Sequence, residues 1–249
     1  INRNDLLDEL LKYYDKNITE EEFNKVQKLF EDSGALEYAT NKIADILSLD
    51  NKEIIYTSGA SESNNQAIKG VCFKYKNRGN HIITSYLEHS SIIETCKYLE
   101  KKGFIIDYVK VKSDGMIDMD DLKRLINDNT ILVSIAMVDS ELGIKQDIKE
   151  ISKVVRKYPK CYFHVDATQA IGKVNIDFDN LIHGGKSTTD FRSGTPALPL
   201  ICSLMKALEL VIPNVDSNYE YVSKINNIIK DNLNKYDDIH INSTVNSIP

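Results

Sequence analysis

The sequence predicts an α/β fold in which a mostly parallel sheet is sandwiched by helices. From about residue 53 onward, short runs rich in β-branched and aromatic residues alternate with amphipathic stretches of helical period. Strands separated by helices of that length need right-handed crossovers, and so form a parallel sheet covered on both faces. The size agrees, since 249 residues with 42% hydrophobic content can bury one large core, or a large domain and part of a smaller one.

Thr19 to Glu22 has the form of a capping box and opens a helical pattern that continues to about Leu47. Lys52 to Thr57 (KEIIYT) reads as the first strand, followed by a polar turn and a helical stretch to Lys76. His81 to Ser85, Phe104 to Val111, Thr130 to Met137 and Cys161 to Val165 read as further strands. Helical patterns lie between them, near Ser90 to Lys102, Met119 to Asn127 and Ile148 to Tyr158. Pro196 to Val211 and Tyr219 to Leu233 read as helices, and Asp238 to Ile241 as a short strand. The expected division is a helical segment over 1–50, a large domain over 51–212, and the start of a small, largely missing C-terminal domain over 213–249.

Charge excludes some partners. With 31 basic and 37 acidic residues the net charge is −6, and no Lys/Arg stripe is interleaved with aromatics, which argues against a nucleic-acid backbone. No apolar run reaches the ~18 residues of a membrane span, and the amphipathic, charged start differs from a signal peptide, so a cytoplasmic protein is expected. Cys72, Cys96, Cys161 and Cys202 are widely separated within apolar segments, which suits buried thiols and gives no metal-ligand spacing.

Ligands of open parallel sheets bind beyond the carboxyl ends of strands. Four of the predicted turns there are unusually polar. In Ser58-Gly59-Ala60-Ser61-Glu62-Ser63-Asn64-Asn65, a small turn at a helix N-terminus offers free N–H groups and the positive end of the helix dipole, which suits a phosphate. Ser61 adds a hydroxyl, although Ser61 or Ser63 could equally serve as an ordinary N-cap. The turn is neither a Walker loop nor G-x-G-x-x-G, and G-x-S-x-S is not the nucleophile elbow, so nucleotide and hydrolase readings weaken.

In Leu87-Glu88-His89-Ser90-Ser91 a histidine opens a helix, where its ring could stack on a flat cofactor and exchange protons, or act only structurally. In Tyr162-Phe163-His164-Val165-Asp166-Ala167-Thr168-Gln169 an aspartate ends an apolar strand, and burying it is costly without a cationic partner. The protonated pyridine nitrogen of pyridoxal 5′-phosphate (PLP) is such a partner; helix capping is the alternative role. Gln169 could reach the cofactor's phenolic oxygen. The fourth turn, His183-Gly184-Gly185 with Phe191-Arg192-Ser193-Gly194-Thr195, offers a second anion corner.

Taken together and in this order, YTSGASESNNQAIKG, the EH of SYLEHSSI, ELGIKQDI, FHVDATQAIGK, and HGG followed by FRSGT resemble the cysteine desulfurase branch of the class V aminotransferases, over about Glu53 to Leu210. The resemblance implies PLP chemistry on L-cysteine, giving alanine and an enzyme persulfide for a sulfur-acceptor protein. It implies that Ala60 and Ser61 hold the phosphate, with Ser61 where the family usually has Thr. His89 would stack on the ring as the catalytic histidine, Asp166 would pair with its nitrogen, and Gln169 would contact its phenolic oxygen. Thr195 would reach the phosphate of a neighbouring subunit, which implies a homodimer.

Several departures stand out. Asp139 and Ser140 replace paired asparagines, which leaves Ser140 as the site residue at the second position and favours, as a runner-up, another class V lyase or transaminase. The family's opening D-x-A-T-T-P strand and its N-P-S-S-x-H turn near Asn17 to Thr19 are absent. Between Asn180 and Leu181 the family carries roughly thirty residues with an S-x-H-K motif, whose lysine holds PLP covalently. Lys173 and Lys186 are the nearest lysines, and neither stands in that motif. The small domain with the nucleophilic cysteine does not follow Pro249. One reading makes these absences omitted segments, with Asn180 and Leu181 not covalent neighbours, a second break near Asn17 to Thr19, and an open pocket without bound PLP bounded by Ser61, His89, Asp166 and Gln169. The rival reading is a truncated, non-catalytic scaffold.

Overall fold

The computed structural model describes residues 34–176 and 198–249. These fall into two compact units, one holding residues up to Tyr56 together with the stretch that ends at Asn214, the other holding Thr57 onward and Val215 to Pro249. The expected capping box at Thr19, the expected breaks at Asn17 to Thr19 and at Asn180-Leu181, and the whole HGG and RSGT turn including Thr195 lie outside the described residues.

In the first unit, α1 (Ala35–Leu47) and α6 (Leu198–Val211) pack through Ala39, Ile43, Ile201, Cys202, Met205 and Leu208. α1 stops at Ser48, whose left-handed φ of 54° lets its N–H close onto the carbonyls of Ala44 and Asp45. Lys52 to Thr57 is not a strand. A 3-10 turn at Asn51–Glu53 takes its start, held by a reciprocal cap between Asp50 and Glu53, and local capping wins there over β-propensity.

The second unit holds the sheet. Its elements are α2 (Ala60–Lys74), β1 (His81–Ser85), α3 (Ser90–Glu100), β2 (Ile105–Val109), α4 (Met119–Leu125), β3 (Thr130–Ala136), α5 (Ile148–Val155), β4 (Tyr162–Asp166) and α7 (Val215–Leu233). The four strands are all parallel, in the order β2-β1-β3-β4. Every residue of β1 and β3 is buried, as expected of strands covered on both faces. Ile82 and Leu132 pack with Ile68, Cys72, Ile92 and Cys96 of α2 and α3. Ile83, Val133 and Ile135 pack with Leu122 of α4 and Ile148 and Ile151 of α5.

The order has a consequence for the site. The chain leaves β1 toward β2, then crosses back to lay β3 on the other side of β1, so connections diverge between β1 and β3. That divergence opens a crevice at the carboxyl ends of these strands. At the opposite ends His81 ties the strands together, with Nδ1 2.7 Å from Thr130 Oγ1 and Nε2 3.1 Å from Asp107 Oδ2. Asp238 to Ile241 forms no strand. The chain's last residues instead run beside the turn after β3, where Lys145 donates to the Asn246 carbonyl and Ile248 to that of Gly143.

Candidate active site

A pocket lies at the predicted crevice, lined by Ala60, Leu87, His89, Ala136, Val138, Asp139, Ser140, Asp166, Thr168 and Gln169, with about 460 Å³ of empty space open to solvent. Ala60, His89, Ser140, Asp166 and Gln169 are thus brought together from four separate turns and strand ends. Ser61 is not in the lining: it is exposed on the first turn of α2, where its carbonyl accepts from Asn65 Nδ2. Gly59, just before Ala60, has a positive φ of 156° that favours glycine, and the N–H of Ser58 is taken by the Glu62 carboxylate at 2.6 Å.

Asp166, at the end of β4, is 8% exposed. Its Oδ1 accepts from the Thr168 N–H at 2.9 Å, and its Oδ2 from Asn64 Nδ2 at 2.8 Å. Burial alone would raise the pKa of Asp166, but the hydrogen bonds from Thr168 and Asn64 outweigh it and hold the group below the usual carboxylate range. Asp166 is therefore a buried anion. Beneath it on β4, burial pushes the His164 ring down to about 4, so His164 is neutral at pH 7 and bonds to Ser134 Oγ at 2.9 Å.

His89 caps α3, its Nδ1 accepting from the Ser91 N–H at 3.1 Å and lying 2.9 Å from Ser91 Oγ. When neutral the ring therefore carries its proton on Nε2. Ser91 Oγ also accepts from Asn64 Nδ2 at 3.0 Å, so Asn64 joins Asp166 to the residue that orients His89. Sequence reasoning missed Asn64. It sits in a run of Ser and Asn that reads as helix capping, and its partner Asp166 is 102 residues away. Gln169 presents its amide oxygen to Lys173 Nζ, which leaves the NH₂ end as donor.

Asp139 borders the pocket, yet its carboxylate is committed to the backbone. Its carboxylate accepts the N–H groups of Glu141 at 2.8 Å, Leu142 at 3.1 and 3.2 Å, and Ile144 at 3.1 Å, folding the chain into a turn that leaves Ser140 at the pocket wall. Among the described residues no lysine or arginine lines the pocket, and no group of His, Cys, Asp and Glu could hold a metal ion.

The aminotransferase class-V family model matches residues 3–183. The chain belongs to that family. Among curated class-V relatives, it is 36% identical to "Cysteine desulfurase IscS" of Buchnera aphidicola subsp. Acyrthosiphon pisum (strain 5A), over 84% of this chain and 60% of the relative. It is 33% identical to "Cysteine desulfurase IscS" of Methanosarcina thermophila, over 96% of this chain and 67% of the relative. Of solved structures, a "NIFS-LIKE PROTEIN" superposes with a TM-score of 0.84 at 27% identity, covering 99% of this chain and 76% of that one. "SspA in complex with cysteine" superposes at 0.67 and 32% identity, covering 82% and 69%.

The chain thus spans about 60% of the Buchnera relative's length. That match is 242 residues long yet takes up only 84% of 249 residues, which leaves roughly thirty positions within it that this chain does not fill. Among the described residues no helix is long and apolar enough to cross a membrane.

Proposed function

We propose that this chain forms the cofactor pocket of a PLP-dependent cysteine desulfurase, which converts L-cysteine to L-alanine and passes sulfur through an enzyme persulfide to an acceptor protein, for iron–sulfur cluster assembly or tRNA thiolation. The observation that carries it is Asp166, a buried carboxylate kept ionised by its neighbours in a pocket that, among the described residues, is lined by no lysine or arginine. Such a site is complementary to a cation that enters with the ligand, and a protonated pyridine ring is a cation of that kind. When bound, the charged ring supplies an electron sink for the substrate's α-carbon. Asp166 holds the ring-nitrogen proton, Asn64 and Thr168 fix Asp166, His89 offers a ring face, the Gln169 NH₂ donates to an oxyanion, and the first turn of α2 with Ala60 and Ser61 receives a phosphate.

The reading extends to a cytoplasmic homodimer with Thr195 serving the neighbouring subunit. The names of the relatives as cysteine desulfurases support the substrate. The turn-building role of Asp139 accounts for the departure at the first of the two positions, while Ser140 stands at the pocket wall at the second. The roughly thirty unfilled positions favour a second reading, a non-catalytic homologue that keeps the pocket. Sulfide and alanine production from cysteine separates the two.

Pyridoxamine 5′-phosphate, which needs no lysine, tests the pocket directly. The chain is expected to bind it, and Asp166→Asn to weaken binding about 10- to 100-fold, the worth of a charge-assisted hydrogen bond. Equal affinity in the two proteins removes Asp166 from the site.

A further inference from the structure

Glu88 immediately precedes His89 and is 7% exposed. Its Oε1 accepts from Ser85 Oγ at 2.9 Å and from the Ala136 N–H at 3.0 Å, bridging the ends of β1 and β3 where their connections diverge. Its Oε2 is buried without a hydrogen-bond partner. Ala136 stands opposite Asp166 in the β3-β4 register, so the bridge ends one strand away from the Asp166 carboxylate. Among the described residues, the ionisable groups facing Glu88 are Asp166 from β4, Asp139 from the turn after β3, and the Cys96 thiol from α3, none of them a cation.

We propose that Glu88 is a positioning residue that holds the pocket floor together beneath His89 and gives up a proton when a cation seats against Asp166. The proposal rests on the cofactor reading above. With no cation present, burial first, and then Asp166 and Asp139, push Glu88 up to about 7, against the two hydrogen bonds to Oε1. A positive ring placed beside Asp166 cancels the nearest of these negative charges and favours ionised Glu88. The proton on Glu88 therefore leaves to solvent as the cation arrives, and the pocket's net charge changes less than the ligand's charge alone would make it.

Calorimetric titration with pyridoxamine 5′-phosphate at pH 7, in two buffers of different ionisation enthalpy, counts the protons exchanged on binding. Wild type is expected to release up to roughly half a proton more than Glu88→Gln, because a group with pKa near the pH is about half protonated before binding. Ser85→Ala removes one bond that lowers the Glu88 pKa, and is expected to move the pH of greatest release upward. It serves as a second probe should Glu88→Gln not fold. Binding with equal proton exchange in wild type and Glu88→Gln, or an unmoved optimum in Ser85→Ala, overturns the linkage while leaving the cofactor reading intact. No binding to wild type sinks the cofactor reading, and this linkage with it.

Discussion

Asp166 and Glu88 are two buried carboxyls beside one pocket, and they differ in how far their hydrogen bonds offset burial. Asp166 has a partner on each oxygen and stays ionised, whereas Glu88 spends both of its bonds on one oxygen and burial raises it to about 7 from the ordinary 4.5. The folded chain thus binds a proton at Glu88 that the unfolded chain has lost, over about pH 4.5 to 7. Stability from this group is full below that window and falls as pH rises through it, by about 3 kcal/mol in all. Glu88→Gln keeps an acceptor for Ser85 and Ala136 and cannot ionise. Its melting temperature is expected to match wild type near pH 5 and to exceed it at pH 8, in buffer without ligand. A mutant less stable than wild type at pH 8 would show that the ionised carboxylate is tolerated, contrary to its unpartnered Oε2.

At the scale of elements, the turn after β3 is built on one side chain. Asp139→Ala strips acceptors from three backbone N–H groups, including that of the buried Ile144, and is expected to cost about 2 to 4 kcal/mol in denaturant unfolding. Asp139→Asn, which turns an NH₂ toward an N–H, is expected to cost less, about 1 to 2 kcal/mol. Equal stability of all three proteins would dismiss the turn-building role. The strands were legible in the sequence because β1 and β3 are short runs rich in β-branched residues bounded by polar turns, and Asp166 because a carboxylate at the end of the largely apolar run Phe163 to Val165 has so few places to go. KEIIYT misled because its β-branched and aromatic content says nothing about whether a partner strand is at hand, while the Asp50 and Glu53 cap is local and decides the start. Asn64 and Glu88 were hidden for a different reason. Their chemistry lies in contacts with β4 and β3 that only the parallel register brings together.

At the scale of the whole molecule, the pocket and the covalent anchor of the cofactor are separable. The noncovalent contacts proposed for the cofactor come mainly from α2, the ends of β1, β3 and β4, and the turns after them, which line the pocket. The family's S-x-H-K motif does not occur in the sequence, and the chain leaves roughly thirty positions of its Buchnera relative unfilled. Lys173 is the basic residue nearest in sequence to the pocket, yet its Nζ donates to the Gln169 oxygen on the exposed side of that amide, and it does not line the pocket. The chain is therefore expected to bind PLP reversibly. Borohydride treatment of the complex followed by peptide mapping should leave no lysine modified in proportion to bound cofactor, and dialysis before reduction should remove the cofactor's absorbance. Stoichiometric pyridoxyl labelling at Lys173 or Lys186 would overturn this, because a lysine already in the chain would then supply the anchor and the missing segment would not be needed for it.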